Sequence, residues 1–193
     1  MTGSTRGAIM DAAERLLRSK GYSAFSYADL AETVGIRKAS IHHYFPTKED
    51  LGVAIVEDYV RQVRDRFSQI EAASDKLDSR LAGFREGFRA GAEVGMLPLC
   101  GALAAEMAAL PTRLQILTRE FFDLQLKWLT KVLDAAAATG ELPPGSDSAQ
   151  KAYLLLSLME GSSFIDWAMQ DGRRMDLSAL LQLARLPLSA SLK

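Results

Sequence analysis

Apolar residues recur every three or four positions along most of the chain, which is the spacing of one face of an α-helix. The first such stripe lies in residues 4–20 and ends at Gly21. Similar stripes predict six further long helices, over residues 48–70, 74–93, 99–110, 112–138, 147–170 and 176–185. With two short helices between the first two stripes, the pattern predicts an all-α protein of about nine helices.

Residues 26–51 contain more sequence signals for helix starts and turns than any other part of the chain. Ser26 is followed three positions later by Asp29, and Thr47 by Asp50. Each pair has the spacing of a capping box, in which a hydroxyl and a carboxylate satisfy the free amides at a helix start. A helix is therefore predicted to begin directly after each hydroxyl residue.

The residues between these two starts fit a helix-turn-helix. Counted from Tyr27, the small Ala31 is fifth, Gly35 ninth and the branched Ile41 fifteenth. A small residue lets two helices cross closely, the glycine makes the turn, and the branched residue fills the angle between the helices. This spacing predicts a second, recognition helix over residues 38–44.

The recognition helix has hydrogen-bond donors on its outward positions, and such groups bind phosphates and base edges. We therefore expect residues 26–48 to contact double-stranded DNA. The predicted contacts are Ser26, Tyr27, Arg37, Lys38, Ala39, Ser40, His42, His43, Tyr44 and Lys48.

The same stretch resembles the DNA-binding domain of the TetR family of bacterial regulators. The resemblance rests on Ala31, on residues 34–36 and 38–41, and above all on HYFPTKEDL at 43–51, and it covers residues 6 to 55. It implies an N-terminal three-helix DNA-binding domain (1–50) followed by a larger helical effector-binding and dimerisation domain (51–193). It also implies a homodimeric repressor on a near-palindromic operator.

Two positions depart from the usual family pattern. Arg37 stands where the family commonly has an N-capping serine, and His42 where it commonly has tyrosine. Losing a serine cap typically costs ~1 kcal/mol. Because Arg37 also adds a charge beside the DNA, we expect the operator preference to differ from that of close relatives.

The larger domain has many aromatic residues and a stripe of glycines at Gly83, Gly87, Gly91 and Gly95. Each glycine within a helix costs about 0.8–1 kcal/mol relative to alanine. Either a neighbouring helix approaches closely there, or the missing side chains leave room for a ligand. Both explanations remain open.

A small hydrophobic effector is predicted to bind in this domain. The predicted contacts are Phe84, Phe88, Met96, Cys100, Leu103, Met107, Phe121, Phe122, Trp128, Phe164 and Trp167, with Glu106, Glu160 and Asp166 as further polar candidates beside Cys100.

The last two predicted helices are apolar on more than one face, as half of a four-helix dimer interface requires. The predicted interface residues are Tyr153, Leu155, Leu156, Met159, Leu177, Leu180 and Leu181. The alternative is that these helices only complete the core of a monomer.

Charge and composition narrow the function further. The net charge of the 193 residues is −1, but residues 1–48 carry seven basic against four acidic side chains. The excess of positive charge thus lies in the predicted DNA-binding segment. A modest local excess of this kind favours binding to a polyanion such as DNA.

The residues that enzymes and metal sites need are scarce. The two histidines are adjacent and the single cysteine, Cys100, has no partner for a disulfide. We therefore predict no enzyme activity, no cofactor and no metal. There is no apolar run of 18 residues, and Asp11 and Glu14 interrupt the first apolar segment, so we expect a cytoplasmic protein without membrane contact.

Two other functions remain open. Cys100 follows Pro98 near a predicted helix start, where a thiol pKa is lowered, so the protein could repress in response to electrophiles or oxidants. A helical binding module that does not contact DNA is the second alternative.

Overall fold

The computed structural model describes residues 4–92, 95–143, 145–172 and 175–187. Over these residues the protein is helical, with nine α-helices, one short 3₁₀ helix and no strand, which confirms the predicted all-α class. The helices are α1 (Thr5–Lys20), α2 (Tyr27–Val34), α3 (Lys38–Tyr44), α4 (Lys48–Ala73), α5 (Leu77–Ala92), α6 (Leu99–Ala105), the 3₁₀ helix (Met107–Ala109), α7 (Thr112–Ala138), α8 (Ser148–Met169) and α9 (Leu177–Arg185).

Both predicted capping boxes are present. The Ser26 hydroxyl accepts from the Asp29 amide at 3.4 Å, and the Ser26 amide donates to the Asp29 carboxylate at 2.7 Å. At the start of α4, the Asp50 amide donates to the Thr47 hydroxyl at 3.1 Å and the Thr47 amide donates to Asp50 at 3.2 Å. The helix starts therefore follow from local side-chain chemistry.

Three helices differ from their predicted bounds by three residues or more. α4 continues to Ala73, three residues further than predicted. α5 begins at Leu77, three residues later than predicted, because the Ser74 hydroxyl accepts from the Lys76 amide in a local turn. The Leu77 amide then donates to the Glu141 carboxylate at 3.1 Å, which satisfies a free amide of the new start. The helix predicted over 99–110 stops at Ala105, and Glu106 separates it from the 3₁₀ turn.

The chain forms two compact units. The first contains Met1–Val63 and Met96–Phe121, and the second contains Arg64–Gly95 and Phe122–Lys193. α4 and α7 each contribute residues to both units. The predicted functional boundary after residue 50 stays a prediction, since compactness groups the residues differently.

The core of the first unit joins the DNA-binding segment to later residues. Ile9, Leu30, Ile41 and Leu51 are fully buried. A Cβ atom on Gly52 would lie 2.9 Å from a methyl carbon of Leu114, so the glycine allows α4 and α7 to pack closely here.

The core of the second unit is built on stacked aromatic rings. Phe67 stacks on Trp128 with 4.2 Å between ring centroids, and Phe84 lies 5.8 Å from the same indole. Beside them, a Cβ atom on Gly83 would lie 2.7 Å from Ile70. Close approach of a neighbouring helix therefore explains this glycine.

Gly87 is not explained in the same way, because its Cβ atom would meet the terminal guanidinium nitrogen of Arg66 at 2.5 Å, and this flexible side chain can move aside without any shift of a helix.

Candidate nucleic-acid interface

The turn between α2 and α3 has the geometry that the glycine spacing predicts. Gly35 is left-handed, with φ 74° and ψ 32°, and its amide donates to the Ala31 carbonyl at 2.9 Å. The Ile36 amide donates to the same carbonyl at 3.1 Å. Ile41 on α3 is fully buried, so the opposite side of α3 faces outward.

The outward side of α3 presents the predicted DNA contacts that are accessible. Arg37, Lys38, Ala39 and His43 are exposed, and Tyr44 is 40% exposed. Arg37 is the N-cap residue of α3, but its side chain makes no capping hydrogen bond. The Arg37 guanidinium therefore takes no part in capping α3. Ser40 is half-buried.

Tyr27 is directed into the domain. Its ring is buried, and its hydroxyl donates to the carbonyls of Phe45, at 3.0 Å, and Thr47. Burial, followed by the negative charge of Asp50, raises the pKa of Tyr27 to about 12. Tyr27 therefore links the start of α2 to the connection between α3 and α4.

Ser26 and His42 also have contacts within the domain. The Ser26 hydroxyl is used in the capping box of α2. His42 Nδ1 lies 3.2 Å from the Pro46 carbonyl, which requires a proton on Nδ1, and its ring lies 4.8 Å from that of Tyr27. Their roles as DNA contacts stay predictions.

Lys48 has a structural role that its sequence position did not indicate. Its ammonium group donates to the Phe25 carbonyl and lies 4.7 Å and 4.3 Å from the ring centroids of Tyr22 and Phe25. Burial lowers the pKa of Lys48, and the nearby Glu106 carboxylate opposes that shift. The phosphate contact predicted for Lys48 stays a prediction.

The predicted effector contacts are divided between the two units. Met96, Cys100, Leu103, Met107 and Phe121 belong to the first unit, and Phe84, Phe88, Phe122, Trp128, Phe164 and Trp167 to the second. Cys100 and Leu103 are fully buried, whereas Trp167 is exposed. Burial of the Cys100 thiol keeps it from contact with solvent.

A cleft in the second unit brings Phe88 together with polar groups that apolar patterning does not single out. It is lined by Arg85, Phe88, Arg89, Met159, Ser162, Ser163, Asp166 and Met175. The Arg85 guanidinium donates twice to the Met175 carbonyl, at 3.2 Å and 3.1 Å, and so fixes one wall of the cleft.

Glu160 is a buried carboxylate on α8. Neither of its oxygens has a hydrogen-bond partner among the residues that the structure describes. Burial raises its pKa to about 7.

The predicted dimer residues form two groups. Tyr153 is 59% exposed, and Leu177 and Leu181 are half-buried, so these three are accessible. The other four, Leu155, Leu156, Met159 and Leu180, are buried within their own chain.

In the described part of the chain no helix is both long and apolar enough to cross a membrane.

A helix-turn-helix with an exposed cationic second helix places the protein among the helix-turn-helix DNA-binding proteins. Residues 9–55 match the family described as bacterial regulatory proteins, tetR family. This segment of the chain therefore carries the N-terminal domain of the TetR family.

Two curated relatives are regulators. The chain is 34% identical over 86 residues to the HTH-type transcriptional regulator BetI of Rhizobium meliloti, which is 44% of this chain and 42% of that protein. It is 32% identical over 88 residues to the HTH-type transcriptional regulator CymR of Pseudomonas putida, which is 44% of this chain and 43% of that protein. These matches span less than half the length of either relative.

The similarity in structure extends over nearly the whole chain. A TetR transcriptional regulator from Legionella pneumophila superposes with a TM-score of 0.82 at 28% identity, covering 96% of each chain.

Proposed function

We propose that the protein is a homodimeric transcriptional repressor that binds a near-palindromic operator and is released by a small hydrophobic effector. The observation that carries the DNA-binding part is the exposed face of α3. This face presents Arg37, Lys38 and His43 from a helix that is fixed by the Gly35 turn and the buried Ile41. A recognition helix held in this way can enter a major groove.

The DNA contacts are tested on a duplex that the wild-type protein itself selects from random sequence. We expect the double variant Arg37→Ala, Lys38→Ala to bind this duplex at least about tenfold more weakly, since each good contact contributes ~1–3 kcal/mol. Where the lost contacts are to phosphates, the slope of log K against log salt should fall by about 0.9 for each. Fluorescence anisotropy over a salt series measures both.

Lys127→Ala is the matched control, because Lys127 is an exposed lysine on α7 paired with Asp123 at 2.6 Å. Its affinity and salt slope should equal those of the wild type. A double variant with wild-type affinity for the selected duplex would exclude α3 as the recognition helix.

The dimer proposal is supported by an uncharged, exposed stripe along α8. Tyr153, Ser157, Gly161 and Ile165 follow one another at four-residue spacing and are all exposed, Ile165 by 64%. A Cβ atom on Gly161 would meet no atom within 4 Å. A large apolar side chain is costly to leave in water, and the glycine would let a second helix approach closely.

We expect the double variant Tyr153→Asp, Ile165→Asp to be monomeric, because four carboxylates would otherwise be buried in one symmetric interface. Light scattering during gel filtration should show 21.1 kDa for the variant and twice that mass for the wild type. Ile116→Asp is the control, since Ile116 on α7 is 47% exposed. A dimeric double variant would place the interface elsewhere.

The effector proposal is supported by the second unit. The rings of Phe84 and Phe88 lie 5.3 Å apart, and Phe88 continues into the cleft beside Met159 and Met175. Phe88, Met159 and Met175 are the apolar residues of the cleft, and its other five lining residues are polar or charged. Small-molecule sites combine apolar walls with polar groups that orient the ligand. Redox sensing through Cys100 has less support, because the thiol is fully buried.

A further inference from the structure

The chain that connects α1 to α2 is held by Glu106, a residue 83 positions away from the nearest amide it binds. Its carboxylate accepts from the Ser23 amide at 2.9 Å. Partial burial alone would raise the pKa of Glu106, but the Ser23 and Tyr22 amides and the charge of Lys48 together lower it. The ionised carboxylate is thus favoured at this place.

Gly21 allows the carboxylate to come this close. Its φ of 95° lies in the region that favours glycine, and a Cβ atom would lie 2.3 Å from Glu106 Oε1. A side chain at position 21 would strain the backbone and would also displace the carboxylate from the amides.

The same connection is also held by Lys48, whose ammonium donates to the Phe25 carbonyl. Residues 21–25 are therefore held at two points, because the Glu106 carboxylate accepts from the Ser23 amide and the Lys48 ammonium donates to the Phe25 carbonyl. Next to them, the Arg18 side chain donates to the Leu97 carbonyl at 2.7 Å, so the end of α1 is also tied to the segment before α6.

Ser26, the N-cap of α2, follows this connection directly. A shift of residues 21–25 would therefore change the angle at which α2, and with it α3, leaves α1. We propose that Glu106 is a positioning residue for DNA recognition, which fixes the α1–α2 connection and thereby the orientation of the recognition helix. The inference rests on the proposed DNA-binding function.

This role differs from general stabilisation because it predicts a loss of specificity. A helix-turn-helix at the wrong angle keeps its charges and its non-specific affinity, but its side chains no longer meet the base edges. Glu106→Ala should therefore lower the ratio of specific to non-specific affinity, even at temperatures where the variant is fully folded.

The experiment compares the affinities of Glu106→Ala, Glu106→Gln and wild type for the selected duplex and for poly(dI-dC). We expect the ratio to fall at least about tenfold for Glu106→Ala, because a hydrogen bond to a charged group is lost. For Glu106→Gln we expect a loss of about threefold or less, since its amide oxygen can still accept from Ser23. Glu120→Gln, an exposed glutamate on α7, should leave the ratio unchanged.

Hydrogen exchange provides a second readout. Peptides covering residues 21–26 should exchange faster in Glu106→Ala and at the wild-type rate in Glu120→Gln. Unchanged exchange there, or a lower melting temperature with an unchanged affinity ratio, would overturn the positioning role alone. A wild-type protein that selects no DNA sequence would overturn the proposed function as well.

Discussion

Replacing Lys151 by alanine should lower the free energy of unfolding by about 3 kcal/mol, within the range of large-to-small changes in a core. Lys151 is fully buried on α8, and its ammonium donates to the Ala184 carbonyl at 2.6 Å. Ala184 lies in the last turn of α9, whose carbonyls lack partners within the helix. Alanine would leave both a cavity and an unsatisfied carbonyl.

The buried charge makes the choice of substitution informative. Burial lowers the pKa of Lys151, because it penalises the charged form of the side chain. Methionine would fill the space of the lysine stem and remove the charge, at the cost of the hydrogen bond to Ala184. We therefore expect Lys151→Met to be less destabilising than Lys151→Ala.

Urea unfolding at one fixed protein concentration measures both variants, because dimerisation would make stability depend on concentration. Lys127→Ala, at an exposed lysine, should change the free energy of unfolding by less than about 0.5 kcal/mol. A wild-type stability for Lys151→Ala would mean that α9 is not held by this hydrogen bond in solution.

The elements that could be predicted from the sequence are those with local causes. A capping box places its hydroxyl and carboxylate within four residues, and so Ser26 and Thr47 marked the starts of α2 and α4. Gly35 marked the turn because a left-handed residue favours glycine wherever the rest of the chain lies. α3, which follows this turn, has the predicted bounds.

The direction of single side chains depends on distant residues and could not be predicted. Lys48 lies in a segment with the composition of a DNA contact, yet its ammonium is bound by the aromatic residues and the carbonyl of the α1–α2 connection. The sequence motif is compatible with both roles. The structural role is visible only from the positions of Tyr22 and Phe25, and the phosphate contact stays a prediction.

An effector site is harder to predict from sequence than a helix start, because a pocket and a core are lined by the same residue types. Their apolar character in the larger domain predicts Leu103 and Trp128 as effector contacts, and both are buried. Arg85 and Ser163, which line the cleft beside Phe88, have no apolar signal that would select them. Lysine and glutamate side chains are usually exposed, so the burial of Lys151 and of the Glu160 carboxylate could not be predicted from the sequence either.

Replacing Glu160 by glutamine should stabilise the protein at pH 8 much more than at pH 5. Burial raises the pKa of Glu160 from 4.5 to about 7, and the described residues offer no hydrogen bond to either oxygen. Below pH 4.5 the carboxyl group is protonated in the folded and the unfolded chain, so it adds no pH dependence there.

Between these two pKa values the unfolded chain ionises while the folded chain keeps its proton. The stability contributed by the protonated group is therefore present at low pH, is lost as pH rises towards 7, and stays lost above it. The loss amounts to up to about 3 kcal/mol, at 1.36 kcal/mol per pKa unit. Glutamine does not ionise, so the variant should escape this loss.

Urea unfolding of wild type and Glu160→Gln at pH 5 and pH 8 gives four free energies. The stability difference between the two proteins should grow by about 2–3 kcal/mol from pH 5 to pH 8. Other titrating groups cancel in this comparison, because both proteins contain them. Glu120→Gln should show no such growth, and a constant difference for Glu160→Gln would mean that in solution the carboxylate is hydrated or paired.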